Sequence, residues 1–266
     1  MTRSPRTKRI SALATKPPEA GNRLHPEISM ELKVVSDPDS AARLAAATIA
    51  ADARSASASR GRFTLAVSGG HTPWIMLRML AEEDVPWAAV HLYQVDERIA
   101  PGGHQDRNLT HIRENLLLHV PLRPEHVHAM PVESSDLLSA TSQYALELQE
   151  VAGSPPVLDL VHLGLGPDGH TASLIPGDAV LNVSGADVAL TGVYQGRRRM
   201  TLTYPAIDRA RRVLWVVAGS GKTEALQRLL DGDVTIPAGR VRREQAVLFA
   251  DRAAIGQLTT TRKGGQ

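Results

Sequence analysis

The chain has 266 residues, of which 42% are hydrophobic, 22% charged and only 3% aromatic, with a formal charge of +2. That is enough apolar material for one large α/β domain or two small ones, with a core of Leu, Val, Ile and Ala rather than rings. The lack of cysteine excludes disulfides, thiolate metal sites and cysteine nucleophiles.

The positive charge is local. Residues 1–30 carry Arg3, Arg6, Lys8, Arg9, Lys16 and Arg23 against Glu19 and Glu27, so the remainder is slightly acidic. An acidic body with few aromatics is no nucleic-acid surface. The apolar run Val213–Ala218 is far below the ~18 residues a membrane span needs. Neither nucleic acid nor membrane is expected as a partner. Residues 1–29 contain Pro, Ser, Thr and Arg without amphipathic period, and are expected to be a disordered basic tail. No apolar stretch of secretory type follows the charges, which argues against a signal peptide; the acid-free, Arg-containing start resembles an organellar presequence but shows no helical moment, so a cytoplasmic location is expected.

Leu32–Val35 is a short strand candidate. Asp37-Pro38 supplies an N-cap and a first-turn proline for an Ala-rich helix from Ser40 to about Ser57. Phe63–Val67 is the next strand. Ser68-Gly69-Gly70-His71-Thr72-Pro73 follows at once, and Trp74–Leu80 has helical character. A strand, a glycine turn and a helix start make an anion site, because unpaired N–H groups and the helix dipole point at the turn. Ala66-Val67-Ser68-Gly69-Gly70 also resembles a loose nucleophile elbow with Ser68 attacking an ester. The plain alternative is a structural turn.

Val90–Val95 is a strand that delivers Asp96-Glu97-Arg98, by default a solvated loop. Asp106-Arg107-Asn108 follows, and Asn115 and Leu116–Leu118 belong to the next helix. His126–Met130 reads as a short strand and Ser135–Val151 as a helix, broken by Gly153-Ser154-Pro155-Pro156. His126, His128 and His162 lack the convergent third ligand of a catalytic zinc site, so no metal is assigned.

The stretch Val157–Gly177 organises the chain. Val157–Leu163 has the length and β-branched content of a buried strand. Gly164, Gly166 and Gly169 then permit tight turns, and Thr171–Leu174 looks like the start of a short helix that Pro176-Gly177 cuts off. Three readings compete. Gly164–Gly169 fits G-x-G-x-x-G, but Pro176 follows too soon for a dinucleotide-binding crossover helix. The second is a glycine turn with a satisfied polar cluster. In the third, His170 is a general base, since imidazole is half-ionised near neutral pH, and Asp168 orients it or stabilises its charged form.

Val188–Tyr194 and Met200–Thr203 read as strands around Gln195-Gly196-Arg197-Arg198-Arg199. Val213–Ala218 is a buried strand, and Gly219-Ser220-Gly221-Lys222-Thr223 opens the helix Glu224–Leu230. This looks like the end of a P-loop, but Val216 stands where the motif needs glycine, so nucleotide hydrolysis is not expected. Val247–Ala250 is a last strand, and residues 257–266 are expected to be disordered. The alternation implies an α/β fold: a mostly parallel sheet flanked by helices on both faces, Rossmann-like and three-layered, in a single domain over 30–256. The turns Ser68–Gly70, Gly164–Gly169 and Gly219–Gly221 should converge on one edge.

The segment GLGPDGHTASLIPG resembles the signature G-x-G-x-D-G-H-T-A-S-L-F-P-G of 6-phosphogluconolactonases, with Ile175 replacing the usual aromatic. The sister glucosamine-6-phosphate deaminases share D-G-H but continue I-G-F-N-E-P. The S-G-G-H-T-P loop and Asp96-Glu97-Arg98 (D-E-R, against D-E-Y in the deaminases) resemble the lactonase pattern as well. Arg107 departs from the family's usual Ser-Asn pair, leaving Asn108 as the matching member. Arg199 resembles the phosphate-contacting arginine of R-[IM]-T-L-T, and Lys222 the phosphate-contacting lysine of G-x-x-K.

The resemblance implies hydrolysis of 6-phosphoglucono-δ-lactone in the oxidative pentose phosphate pathway. His170 would activate water with support from Asp168, without metal or cofactor. Ser68, Gly69, Gly70, Arg199 and Lys222 would hold the phosphate, Arg98 and Asn108 are also expected to bind the substrate, and Arg98 or glycine-turn N–H groups would face the oxyanion. The expected partner is a phosphorylated sugar lactone, turned over by a monomer or weak homo-oligomer. The alternatives are a glucosamine-6-phosphate deaminase or isomerase and a non-catalytic sugar-phosphate sensor.

Overall fold

The computed structural model describes residues 30–256; the expected tails 1–29 and 257–266 lie outside the described residues. The chain runs β1 (Glu31–Val35), α1 (Pro38–Arg60), β2 (Phe63–Val67), α2 (His71–Ala81), β3 (Val90–Gln94), β4 (Asp96–Arg98), α3 (Asn108–Ile112), β5 (Val127–His128), α4 (Leu137–Ala152) and β6 (Leu160–Leu163). It continues β7 (Val188–Leu190), β8 (Arg199–Leu202), α5 (Tyr204–Asp208), β9 (Arg212–Val217), α6 (Thr223–Leu230), β10 (Ala246–Asp251) and α7 (Arg252–Ile255). Helix α1 is longer than its Ala-rich run. Pro38 already takes the first helical position, Asp37 accepts from Ser40 N at 2.7 Å, and the helix ends only where Gly61 turns left-handed at φ 72°.

Seven strands form one parallel sheet in the order β1-β10-β9-β6-β2-β3-β5. Successive side chains of a strand point to opposite faces, so each buried strand feeds two cores. Leu214 and Val216 join Phe63, Leu65, Val67 and Phe249 beneath α1 and α2. Val213, Trp215 and Val217 join Val161, Leu163 and Leu248 on the other face, with Tyr144 and Leu148 of α4 and Leu226 and Leu229 of α6. The result is a three-layer α/β fold, as the alternation of elements predicts. No helix among the described residues is long and apolar enough to cross a membrane.

Two departures from the sequence reading shape the molecule's working end. Asp96-Glu97-Arg98 is no solvated loop. It is β4, which pairs antiparallel with β8 in a second sheet of order β4-β8-β7, placing Arg98 opposite Arg199. Thr171–Leu174 does not begin a helix. Leu174 N donates to Thr171 O at 2.8 Å, Ala172 sits at φ 51°, and the Thr171 hydroxyl is drawn to Gly164 O at 2.8 Å, which closes a tight turn instead.

His126 and His128 join His91 in a partly buried stack at the sheet edge: the His91 and His126 ring centroids are 4.0 Å apart, and His91 Nδ1 lies 3.1 Å from His128 Nε2. Among the described residues no group of three or more His, Asp or Glu is placed to hold a metal ion. Burial, and then the neighbouring His91 and His126, push His128 down to about 4. An unfolded histidine titrates near 6.5. Between those values the unfolded chain binds the extra proton, so stability is full above about pH 6.5 and is lost as pH falls toward 4. Thermal midpoints measured from pH 7 to 4.5 should fall more steeply in the wild type than in His128→Gln; parallel curves would remove this cluster as an acid-sensitive element.

Candidate active site

The loops after β2, β6 and β9 leave the same carboxyl edge of the sheet. Chain connections diverge between the neighbouring strands β6 and β2: β2 leads through α2 on one face, whereas β6 leads toward β9 through elements packed on the other. Such a switch point leaves a crevice at the strand ends. Here it is a cleft of about 430 Å³ lined by Ser68, Gly69, Gly70, Arg98, Asn108, His170, Arg199 and Lys222, together with Asp96 and Gln195. The first two glycine turns line it, and the third reaches it through the flanking Ala218 and Lys222. Asp168, the remaining candidate, stands behind His170.

The turn after β6 holds a carboxylate–imidazole pair. His170 Nδ1 lies 2.5 Å from Asp168 Oδ1, and the same oxygen accepts from His170 N at 3.2 Å. Gly166 makes this possible: a Cβ there would lie 2.1 Å from His170 Nδ1 and 2.6 Å from Asp168 Oδ1. Burial tends to raise the Asp168 pKa, but the His170 charge and hydrogen bonds from His170 and Tyr194 outweigh it and hold the carboxyl below its ordinary value. When the ring is neutral, a carboxylate on Nδ1 fixes the proton there and leaves Nε2 with its lone pair, the form a general base needs.

Facing the pair is a cationic wall. Arg199 is buried, and burial lowers its pKa; Asp96 opposes that shift and Arg98 adds to it. Its Nη1 is 3.5 Å from Ser173 Oγ and its Nη2 3.3 Å from Gln195 Oε1. Arg98 donates to Asn108 Oδ1, while Asn108 Nδ2 donates to Asp96 O at 2.9 Å. The Asn108 amide is thus committed to aiming Arg98. It packs against Gly69, where a Cβ would lie 1.9 Å from Asn108 Oδ1. Burial lowers the Lys222 pKa against the pull of Asp168. Three cations and the N-terminus of α2 around one cleft suit a multiply charged anion.

The Ser68 hydroxyl donates to His162 O at 3.0 Å, and Ser68 N lies 3.4 Å from His162 Nδ1. Burial pushes His162 down to about 3, so the ring is neutral and can accept. These bonds run into β6 rather than to His170, which leaves the nucleophile elbow without its base.

Sequence reasoning passed over several residues that build the site. Glu97 is 0% exposed. Its Oε1 accepts from Arg98 N at 2.8 Å and Asn108 N at 2.7 Å; its Oε2 accepts from Leu109 N at 2.9 Å and Gln94 Nε2 at 2.8 Å. Arg107, read only as a departure from pattern, is buried against Glu97 Oε2 at 3.1 Å and Glu133 Oε1 at 3.1 Å. The Ser173 hydroxyl donates to Asp96 Oδ2 at 2.5 Å. Arg198 is exposed and Arg197 half-buried against Asp106. The signal available for Glu97 was a charge following an apolar strand with no turn residue between.

Residues 36–250 match the family described as Glucosamine-6-phosphate isomerases/6-phosphogluconolactonase. A Mycobacterium bovis protein named 6-phosphogluconolactonase is 33% identical over 245 residues, 87% of this chain and 99% of that protein. A 6-phosphogluconolactonase of Synechocystis sp. is 40% identical over 173 residues, 64% of this chain and 72% of its own length. The crystal structure of 6-phosphogluconolactonase from Thermotoga maritima superposes with a TM-score of 0.74 at 25% identity, covering 83% of this chain and 98% of that one.

Proposed function

The chain belongs to the glucosamine-6-phosphate isomerase/6-phosphogluconolactonase family, and we propose that this enzyme hydrolyses 6-phosphoglucono-δ-lactone to 6-phosphogluconate through a water activated by His170. The observation that carries the reading is the 2.5 Å contact of His170 Nδ1 with Asp168 Oδ1 at the lip of a cleft lined by Arg98, Arg199 and Lys222.

In this reading the phosphate rests on the Ser68–Gly70 turn, Arg199 and Lys222. That grip holds the ring so that its carbonyl carbon faces His170, and binding energy far from the reacting bond is used for positioning. His170 Nε2 takes a proton from water as the water oxygen bonds to the carbonyl carbon. Asp168 stabilises the imidazolium that forms. Arg98 and glycine-turn N–H groups face the oxyanion. Collapse of the tetrahedral intermediate breaks the bond to the ring oxygen, and the imidazolium returns its proton to that oxygen. No covalent enzyme intermediate is needed, in keeping with the bonding of Ser68. The enzyme acts in the cytoplasm as a monomer or weak homo-oligomer.

The test is the enzyme-dependent excess over spontaneous opening of freshly generated 6-phosphoglucono-δ-lactone, with glucono-δ-lactone and glucosamine 6-phosphate alongside. The phosphorylated lactone should exceed the free lactone by about a hundredfold or more in kcat/KM, the scale of two charge-assisted contacts. Turnover of glucosamine 6-phosphate instead would establish the deaminase chemistry. Binding of 6-phosphogluconate without turnover of either would make the protein a sensor.

A further inference from the structure

Tyr194 belongs to none of the motifs that singled out the other site residues. It precedes the tip of the hairpin between β7 and β8. Gln195 and Gly196 there take φ 50° and 78°, and Tyr194 and Arg197 exchange backbone hydrogen bonds across them at 2.9 and 3.2 Å. Positive φ at both central residues of a two-residue loop is the tight turn whose twist suits a hairpin. Arg197 Nε, bound to Asp106 Oδ2 at 2.5 Å, ties the hairpin to the loop before α3.

From this anchored turn the tyrosine touches both the carboxylate–imidazole pair and Arg199. Its hydroxyl donates to Asp168 Oδ2 at 3.0 Å, while Oδ1 of that carboxylate holds His170. Its ring stands edge-on to the imidazole, with centroids 5.5 Å apart and planes at 65°. The Arg199 guanidinium carbon lies 5.0 Å from the same ring's centroid. We propose that Tyr194 is a positioning residue that couples the base to the anion grip, its hydroxyl orienting Asp168 and through it His170, its ring orienting Arg199. This rests on the reading of His170 as the base.

A carboxylate with one oxygen on an imidazole and the other free can rotate or swing to solvent; a donor on Oδ2 fixes its plane and so the direction of Nε2. The donor persists, because burial and then the bond to Asp168 raise the Tyr194 pKa. A ring face beside a guanidinium holds a long, flexible cation in one place without competing for its N–H donors, which stay available to an anion.

The hydroxyl and the ring make separable predictions. Tyr194→Phe keeps the ring and should lower kcat roughly tenfold at nearly unchanged KM, the scale of one hydrogen bond to a charged group. With its donor gone, Asp168 becomes more basic and stabilises the imidazolium more, so the acid limb of the kcat/KM profile should move to higher pH. Tyr194→Ala should show the same kcat loss and, in addition, a KM raised about threefold.

A Tyr194→Phe enzyme with wild-type kcat and an unmoved acid limb overturns the coupling to His170. Equal KM values for the Phe and Ala variants overturn the coupling to Arg199. His170→Ala measured in the same series separates the two readings. If it abolishes the enzyme-dependent rate while Tyr194→Phe is unchanged, only the tyrosine inference falls. If it works at the wild-type rate, the base reading falls and this inference with it.

Discussion

Replacing His170 by alanine is expected to lower the enzyme-dependent rate of lactone opening by about 10²- to 10⁴-fold, the usual contribution of a positioned general base. The loss should fall on kcat. His170 is bonded to Asp168 and not to Arg98, Arg199 or Lys222, so the proposed phosphate contacts should remain, and the dissociation constant of 6-phosphogluconate should change by less than about threefold. Asp168→Asn is the companion. An amide in place of the carboxylate loses the charge that supports an imidazolium and can leave the ring in the wrong tautomer, so an intermediate loss is expected. A His170→Ala enzyme at full rate would remove the base from the mechanism. Ser68 would be an unpromising substitute, since its hydroxyl donates to His162 O.

The largest expected effect on stability is at Glu97. Truncation to alanine would leave the buried Arg107 guanidinium, the Gln94 amide and the N–H groups of Arg98, Asn108 and Leu109 without this carboxylate. Breaking one side of a buried charge pair costs about 3–5 kcal/mol. For a domain of this size that is a fall of about 6–20 °C in Tm, read by thermal unfolding. Activity of the remaining folded protein should fall as well, because Glu97 ties β4, which carries Arg98, to the first turn of α3, which carries Asn108. Glu97→Gln keeps one acceptor oxygen and should lie between. A Glu97→Ala protein within about 1 kcal/mol of wild type would mean that water or a neighbour replaces the carboxylate, and that the hub is not structural.

The parts of this molecule legible in the sequence are those whose signal is local. Phe63–Val67 and Val213–Ala218 are apolar runs that end in glycine turns, and both are buried strands delivering loops to the cleft. Ser68–Gly70, His170, Arg199 and Lys222 sit in recognisable spacings, and one cleft gathers them. What escaped depends on partners far away in the chain. Asp96–Arg98 becomes a strand because β8, about a hundred residues later, pairs with it. Arg107 is buried because Glu97 and Glu133 receive it. Tyr194 meets Asp168 only through a hairpin whose packing no periodicity reveals. Thr171–Leu174 has helix-like composition, but a side-chain bond to Gly164 O competes with the helix and wins.

The register that sets Arg98 opposite Arg199 has a consequence for the stability of the protein. Like charges directly across a strand pair repel, and this pair is partly withheld from the water that would screen it. A ligand whose negative charges lie against Arg199 and Arg98 offsets that repulsion. Occupancy therefore stabilises the small sheet, by an amount that grows with the logarithm of ligand concentration. The melting temperature should therefore rise with the concentration of a bound phosphorylated ligand, and the rise should shrink when either arginine is replaced.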